Sequence, residues 1–95
     1  MYYFYVLYSL RDGRLYKGYT SDLGQRYGKH QTGGVRSTKH RRPLVIIYVE
    51  SFVSKEAALS RERWSKSLEG GPALFRLLVE NGILTPEKKL AIEVA

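Results

Sequence analysis

Apolar positions gather in blocks along this chain, and their spacing changes from block to block. Residues 2 to 9 (YYFYVLYS) and 14 to 20 (RLYKGYT) are rich in tyrosine and aliphatic side chains, with Arg11-Asp12-Gly13-Arg14 between them. Runs of this composition favour strands, and Asp-Gly tolerates the positive φ that a two-residue hairpin loop requires. Such a loop predicts Arg11 opposite Arg14, Ser9 opposite Tyr16, Leu7 opposite Gly18 and Tyr5 opposite Thr20. Alternation then places Tyr3, Tyr5, Leu7, Ser9, Tyr16, Gly18 and Thr20 on one face, and Phe4, Val6, Tyr8, Leu15 and Tyr19 on the other. The second face is the more apolar and is expected to meet the core. The first presents two phenols flanking a glycine notch.

The period lengthens after Thr20. Leu23, Arg26, Tyr27 and His30 recur at helical spacing, which predicts a helix from about Asp22 to His30 capped by Thr20 or Ser21. Gly24 and Gly28 each cost about 1 kcal/mol relative to alanine there. Two glycines four apart imply that something approaches that backbone closely. Residues 31–43, QTGGVRSTKHRRP, are polar and basic, a long loop for so small a domain. The run LVIIYVE at 44–50 suits a buried strand. Ser54 is expected to cap a helix to about Leu68, with Ala57, Ala58, Arg61, Trp64, Ser65 and Leu68 inward and Glu62 at the stripe's edge. Gly71-Pro72 opens a third helix and Asn81-Gly82 closes it. Residues 85–95 read equally as helix or strand. The order β-β-α-β-α-α gives an α+β fold, a small three-stranded, mainly antiparallel sheet packed with helices. Its domain spans 1–84, with 85–95 as a tail.

Composition narrows the class. Ninety-five residues at 43% hydrophobic content suit one modest core, and the absence of cysteine excludes disulfides and thiolate zinc sites. Nothing reads as a signal peptide or approaches the roughly 20 apolar residues of a membrane span, so no membrane role and a cytoplasmic location are expected. The net charge of +7 is unevenly placed. Nine basic residues stand between Arg11 and Arg42 against Asp12 and Asp22, while the rest of the chain balances. Such a block favours a polyanion, nucleic acid ahead of a membrane surface.

The ordered set Tyr3-Phe4-Tyr5, Tyr16-Lys17-Gly18, Arg26, His30, the basic loop and Glu62 on the following helix resembles the GIY-YIG nuclease superfamily. The resemblance covers residues 2 to about 68 and is strongest to its small stand-alone bacterial members. The first triplet keeps only its tyrosine, and Lys17 stands where the second carries an apolar residue. Asn81 is explained by a helix C-cap rather than by the asparagine many members carry after the glutamate. The resemblance implies a metal-dependent endonuclease of low or structure-based specificity, linked to DNA repair or recombination by its likeness to excision-repair incision subunits.

The residue types make that chemistry coherent. Phosphodiester cleavage needs an activated water, neutralisation of charge on the phosphate, and help for the leaving oxygen. Glu62 is the carboxylate available to one hard cation, Mg²⁺ or Mn²⁺; its bland alternative is a surface pair with Lys66, worth ~0.3–0.5 kcal/mol. Arg26 suits a phosphate clamp, since its fork pairs with two oxygens and keeps its charge. His30, half-charged near neutrality when unperturbed, suits a supporting proton relay or a helix-dipole partner. Tyr5 and Tyr16 either orient a water or, with cations nearby, act as base. Lys17, Lys29, Arg36, Lys39, Arg41 and Arg42 are expected to follow the nucleic-acid backbone, with DNA favoured over RNA. One compact domain offers one site where a duplex has two strands, which makes room for a homodimer or a protein partner. The alternative is a non-catalytic DNA- or RNA-binding module using the same basic face.

Overall fold

A computed structural model of the chain describes residues 1–93. Its strands are Tyr2–Ser9 (β1), Leu15–Thr20 (β2) and Leu44–Phe52 (β3), and its helices Leu23–Gln31 (α1), Lys55–Ser65 (α2) and Gly70–Glu80 (α3). β1 is the central strand and runs antiparallel to both neighbours. The order β-β-α-β-α-α and the α+β class are those expected from the sequence, with a sheet that is antiparallel throughout.

Helices cover both faces of the sheet, so β1 is buried from Phe4 to Ser9 instead of alternating. On one face Phe4, Val6, Tyr8 and Ile47 pack with Leu74 and Leu78 of α3 and with Leu84. On the other, Tyr5, Leu7 and Leu44 pack with the partly buried Tyr16, Leu23 and Tyr27. Each leucine fully withdrawn from water contributes about 1.5–3 kcal/mol, and both layers depend on such residues. A register shift opposite Val6 and Leu7 lets consecutive Ile47 and Tyr48 face the same cluster.

The hairpin register differs from the expected one by two residues. Leu7 faces Tyr16, Tyr5 faces Gly18 and Tyr3 faces Thr20. The connection is wider than Asp12-Gly13 because Ser9 organises it. Its Oγ accepts the Arg11 and Asp12 backbone N–H groups at 3.2 and 3.1 Å, while Asp12 Oδ1 accepts from Arg14 N at 2.9 Å. Only Gly13 of the pair takes positive φ, at 71°. A shift of two preserves the faces, so the notch survives and comes to lie directly opposite Tyr5.

Three further expectations are corrected. α1 is capped by Asp22, whose Oδ1 accepts from Gln25 N at 3.0 Å, while Thr20 Oγ1 accepts from Asp22 N at 3.1 Å. Nothing within the described residues crowds the exposed Gly28, and Gly24 has only Asp22 Oδ1 at 3.8 Å, so no close approach explains either. α2 ends at Ser65, and Leu68 is 96% exposed rather than inward. The Ser67 hydroxyl and N–H both satisfy the Trp64 carbonyl, and Gly70 passes so near it that a Cβ would sit 1.8 Å away. The chain thereby reverses into α3, which closes at Asn81 as expected, with Gly82 at φ 70°. Beyond it, Leu84 bridges Leu90, and Ala91 N donates to the Ile83 carbonyl at 3.0 Å. The last two residues of the 85–95 tail lie outside the described part. Among the described residues no helix is long and apolar enough to cross a membrane.

Candidate active site

β2 is an edge strand, and Gly18 leaves a gap in it. A cleft of about 460 Å³ opens there, lined by Tyr5 and Tyr16 from the hairpin, Arg26 from α1, and Lys55 and Glu62 from α2. Tyr16, Gly18 and Thr20 reach it from one face of β2 and Tyr19 from the other, so the cleft wraps the sheet edge. Four elements distant in sequence thus bring two phenols, a guanidinium and a carboxylate to one depression.

The glycine is required by packing. A Cβ on Gly18 would stand 2.7 Å from the Tyr5 hydroxyl oxygen, 2.8 Å from Tyr5 Cζ and 3.1 Å from Tyr16 Cε1. The Tyr5 ring cannot retreat, because its hydroxyl is 3.0 Å from His30 Nε2 and its side chain is almost fully buried. Tyr16 lies beside both, its ring 6.2 Å from that of Tyr5 and 4.8 Å from the imidazole.

His30 departs from expectation in its charge. It is fully buried and held between the Tyr5 hydroxyl and Thr38 Oγ1, the latter 2.8 Å from Nδ1. Burial, reinforced by the Arg26 charge, lowers its pKa to about 4. The imidazole is therefore neutral at pH 7 rather than half-charged. It stands behind Tyr5 and does not line the cleft. Burial also pushes the Tyr5 phenol well above its ordinary pKa, with the Tyr16 phenol adding to the effect and Arg26 opposing it. Tyr5 is a neutral phenol at neutral pH.

Glu62 makes the expected pair with Lys66 and also faces the cleft. Oε1 pairs with Lys66 Nζ at 3.3 Å, yet the side chain is only 17% exposed and lines the cleft. No cluster of three His, Cys, Asp or Glu groups exists among the described residues. A donor set of one carboxylate suits a hard ion such as Mg²⁺, which keeps several waters and completes its shell with phosphate oxygens. It does not suit zinc, which takes several protein ligands.

A model of the GIY-YIG catalytic domain matches residues 1–70. The chain belongs to this family. It is 48% identical over 61 residues to a UPF0213 protein of Streptococcus pyogenes serotype M5, covering 63% of this chain and 65% of that one. It is 46% identical over 61 residues to a UPF0213 protein of Streptococcus pneumoniae R6, covering 63% and 61%. The matched segment thus spans less than two thirds of these curated relatives. The solution NMR structure of the UPF0213 protein BH0048 from Bacillus halodurans superposes with a TM-score of 0.50 at 36% identity, over 81% of this chain and 85% of that one.

In this GIY-YIG domain the six basic residues singled out from the sequence divide in two. Lys29, Arg36 and Lys39 are exposed, and so is Arg42, though its guanidinium is engaged by backbone carbonyls. Lys17, which departs from the apolar position of its triplet, lies on the opposite face of β2 and donates through Nζ to the Ser65 carbonyl at 2.9 Å. Desolvation, with Lys66 nearby, lowers its pKa. Arg41 donates to the Leu15 carbonyl at 3.1 Å and faces Asp12 at 3.5 Å. Arg42 ties the Lys39 and Gln31 carbonyls together. These three cations hold the fold of the basic loop and of β2.

Sequence reasoning passed over Lys55, Tyr2 and Tyr19 as cleft-lining groups. Lys55 opens α2 two turns before Glu62, and that i, i+7 spacing was the available signal. It also passed over Thr38, whose burial in a hydrophilic loop leaves no mark on local pattern.

Proposed function

We propose that this chain is a metal-dependent endonuclease domain that hydrolyses phosphodiester bonds, with DNA as the favoured substrate. The observation carrying this reading is the convergence of Tyr5, Tyr16, Arg26 and Glu62 on one cleft, within a domain of the GIY-YIG family. Arg26 pairs with the non-bridging oxygens of the scissile phosphate, and Lys55 adds positive charge at the same mouth. Glu62 would hold one divalent cation, Mg²⁺ or Mn²⁺, which supplies charge neutralisation and lowers the acidity threshold of bound water. Tyr5, kept neutral by burial, accepts a hydrogen bond from the attacking water and orients it, and Tyr16 flanks the same position. Lys29, Arg36 and Lys39 contact the phosphate backbone without reading bases, so cleavage follows substrate structure more than sequence. A place in DNA repair or recombination accords with such chemistry.

The test is a panel of labelled duplex, branched and single-stranded DNA and RNA, incubated with Mg²⁺, Mn²⁺ or EDTA. The parent is expected to nick at least one DNA substrate in a metal-dependent way. Arg26→Ala and Glu62→Gln are expected to lose cleavage while remaining folded by circular dichroism. Binding without nicking on every substrate would identify a nucleic-acid-binding module instead. Equal cleavage by parent and both variants would refute the site.

A further inference from the structure

Proton positions along the chain Val35, Thr38, His30 and Tyr5 follow from counting donors and acceptors. Thr38 is fully buried, with Oγ1 2.8 Å from His30 Nδ1 and 3.4 Å from the Val35 carbonyl oxygen. His30 is equally buried, with Nε2 3.0 Å from the Tyr5 hydroxyl. A neutral imidazole has one donor nitrogen and one acceptor, and a carbonyl only accepts.

Two orders are conceivable. In the first, the Thr38 hydroxyl donates to Val35, Nδ1–H donates to Thr38 Oγ1, and the Tyr5 hydroxyl donates to bare Nε2. In the second, Thr38 donates to Nδ1, Nε2–H donates to Tyr5, and the Tyr5 hydrogen turns outward. The first makes three bonds within the buried set and the second two, the Val35 carbonyl also accepting the Thr38 backbone N–H at 3.1 Å in either order. The first also sets the more acidic O–H of a phenol, rather than an imidazole N–H, as donor to the other ring.

We propose that Thr38 is a positioning residue for the cleft: by fixing the His30 proton on Nδ1, it turns the Tyr5 hydroxyl hydrogen inward and leaves a Tyr5 lone pair facing the cleft. The consequence for catalysis rests on the nuclease reading above. A lone pair facing outward accepts a hydrogen bond from a water, whereas the reversed order would present a donor in its place. The basic loop thereby carries, at its one fully buried hydroxyl, the group that sets the polarity of the catalytic phenol.

The tautomer is read directly on the full chain by long-range ¹H–¹⁵N correlation of the histidine rings at pH 7, with His40 assigned through His40→Gln. His30 is expected to show a protonated Nδ1 and an unprotonated Nε2. Thr38→Val keeps the shape and removes the hydroxyl, and is expected to move the proton to Nε2; Thr38→Ser is expected to leave it on Nδ1. A parent protonated on Nε2, or a Thr38→Val ring still protonated on Nδ1, would overturn the proposal. Should Thr38→Val not fold, the parent and Thr38→Ser spectra decide. On a cleaved substrate, Thr38→Val is expected to lower kcat on the order of tenfold or more with KM little changed, and Thr38→Ser to restore it. An unchanged kcat in a ring that has flipped would also overturn the positioning role. If no variant or parent cleaves anything, the nuclease reading falls and the spectra still judge Thr38.

Discussion

Gly18 and the Tyr5 phenol occupy facing positions on adjacent strands, with space between them for a hydrogen and nothing larger. A methyl group on Gly18 would lie 2.7 Å from the hydroxyl oxygen of a ring already fastened to His30. Overpacking of this kind costs about 1–3 kcal/mol. Gly18→Ala is therefore expected to lower the melting temperature by roughly 4–8 °C per kcal/mol, as thermal denaturation will show. It is also expected to displace the phenol from the cleft and to depress cleavage beyond the effect of lost stability.

The two cleft tyrosines should separate on stability. Tyr5→Phe leaves His30 Nε2 buried without its partner and is expected to cost about 1–3 kcal/mol in denaturant melts. Tyr16 is half-buried and meets Tyr5 and the imidazole chiefly through its ring, so Tyr16→Phe is expected to cost well under 1 kcal/mol. Both should reduce turnover more than substrate affinity in single-turnover assays.

Stability should fall with acid earlier than carboxylates alone would dictate. His30 titrates near 4 in the fold and near 6.5 when unfolded. Between those values the unfolded chain binds the extra proton, so stability is complete above about pH 6.5 and declines as pH drops toward 4. The loss is on the order of 3 kcal/mol. Glu50 and Asp12, whose pKa values the fold lowers, add their losses below about pH 4.5. His30→Gln is expected to abolish the slope between pH 6.5 and 4.5, measured by urea melts across pH.

α2 is locked to β3 by a bidentate pair. Arg61 donates to both Glu50 oxygens at 2.7 and 3.0 Å, Tyr48 shares that carboxylate, and the guanidinium lies 3.9 Å above the Trp64 ring. Burial pushes the Glu50 carboxyl up, but the Arg61 and Tyr48 bonds outweigh it. Arg61→Ala is expected to cost about 1–3 kcal/mol, and Arg61→Lys to recover little because a lysine lacks the planar fork.

The basic residues should sort by partner. Lys29→Ala, Arg36→Ala and Lys39→Ala are expected to weaken nucleic-acid binding with little change in melting temperature, each reducing the salt slope of log K by about 0.9 if it contacts a phosphate. Arg41→Ala is expected to lower the melting temperature instead, because it removes the Leu15 and Asp12 contacts.

The strand faces and the element order were legible because each rests on a local period. The four groups now found around the cleft were instead picked out by the ordered set that resembles the GIY-YIG family. An even slip of the hairpin left the faces intact, which is why Tyr5 and Tyr16 still share one face beside the glycine notch. What stayed hidden depends on contacts far along the chain. His30 gives no sequence sign of being walled in by Tyr5, Tyr16 and Thr38, so its loss of charge was illegible. Lys17 and Arg41 read as surface charges because the backbone carbonyls that hold them lie 48 and 26 residues away. Leu68 read as inward because nothing local foretold the reversal at Gly70.

The lysine that replaces an apolar residue in the second triplet has a mechanical consequence. It sits between Tyr16 and Gly18, and its ammonium grips the carbonyl three residues beyond Glu62. The strand bearing one wall of the cleft and the helix bearing the other are thus strutted together from behind. The width of that aperture is therefore set in part by a contact made outside it.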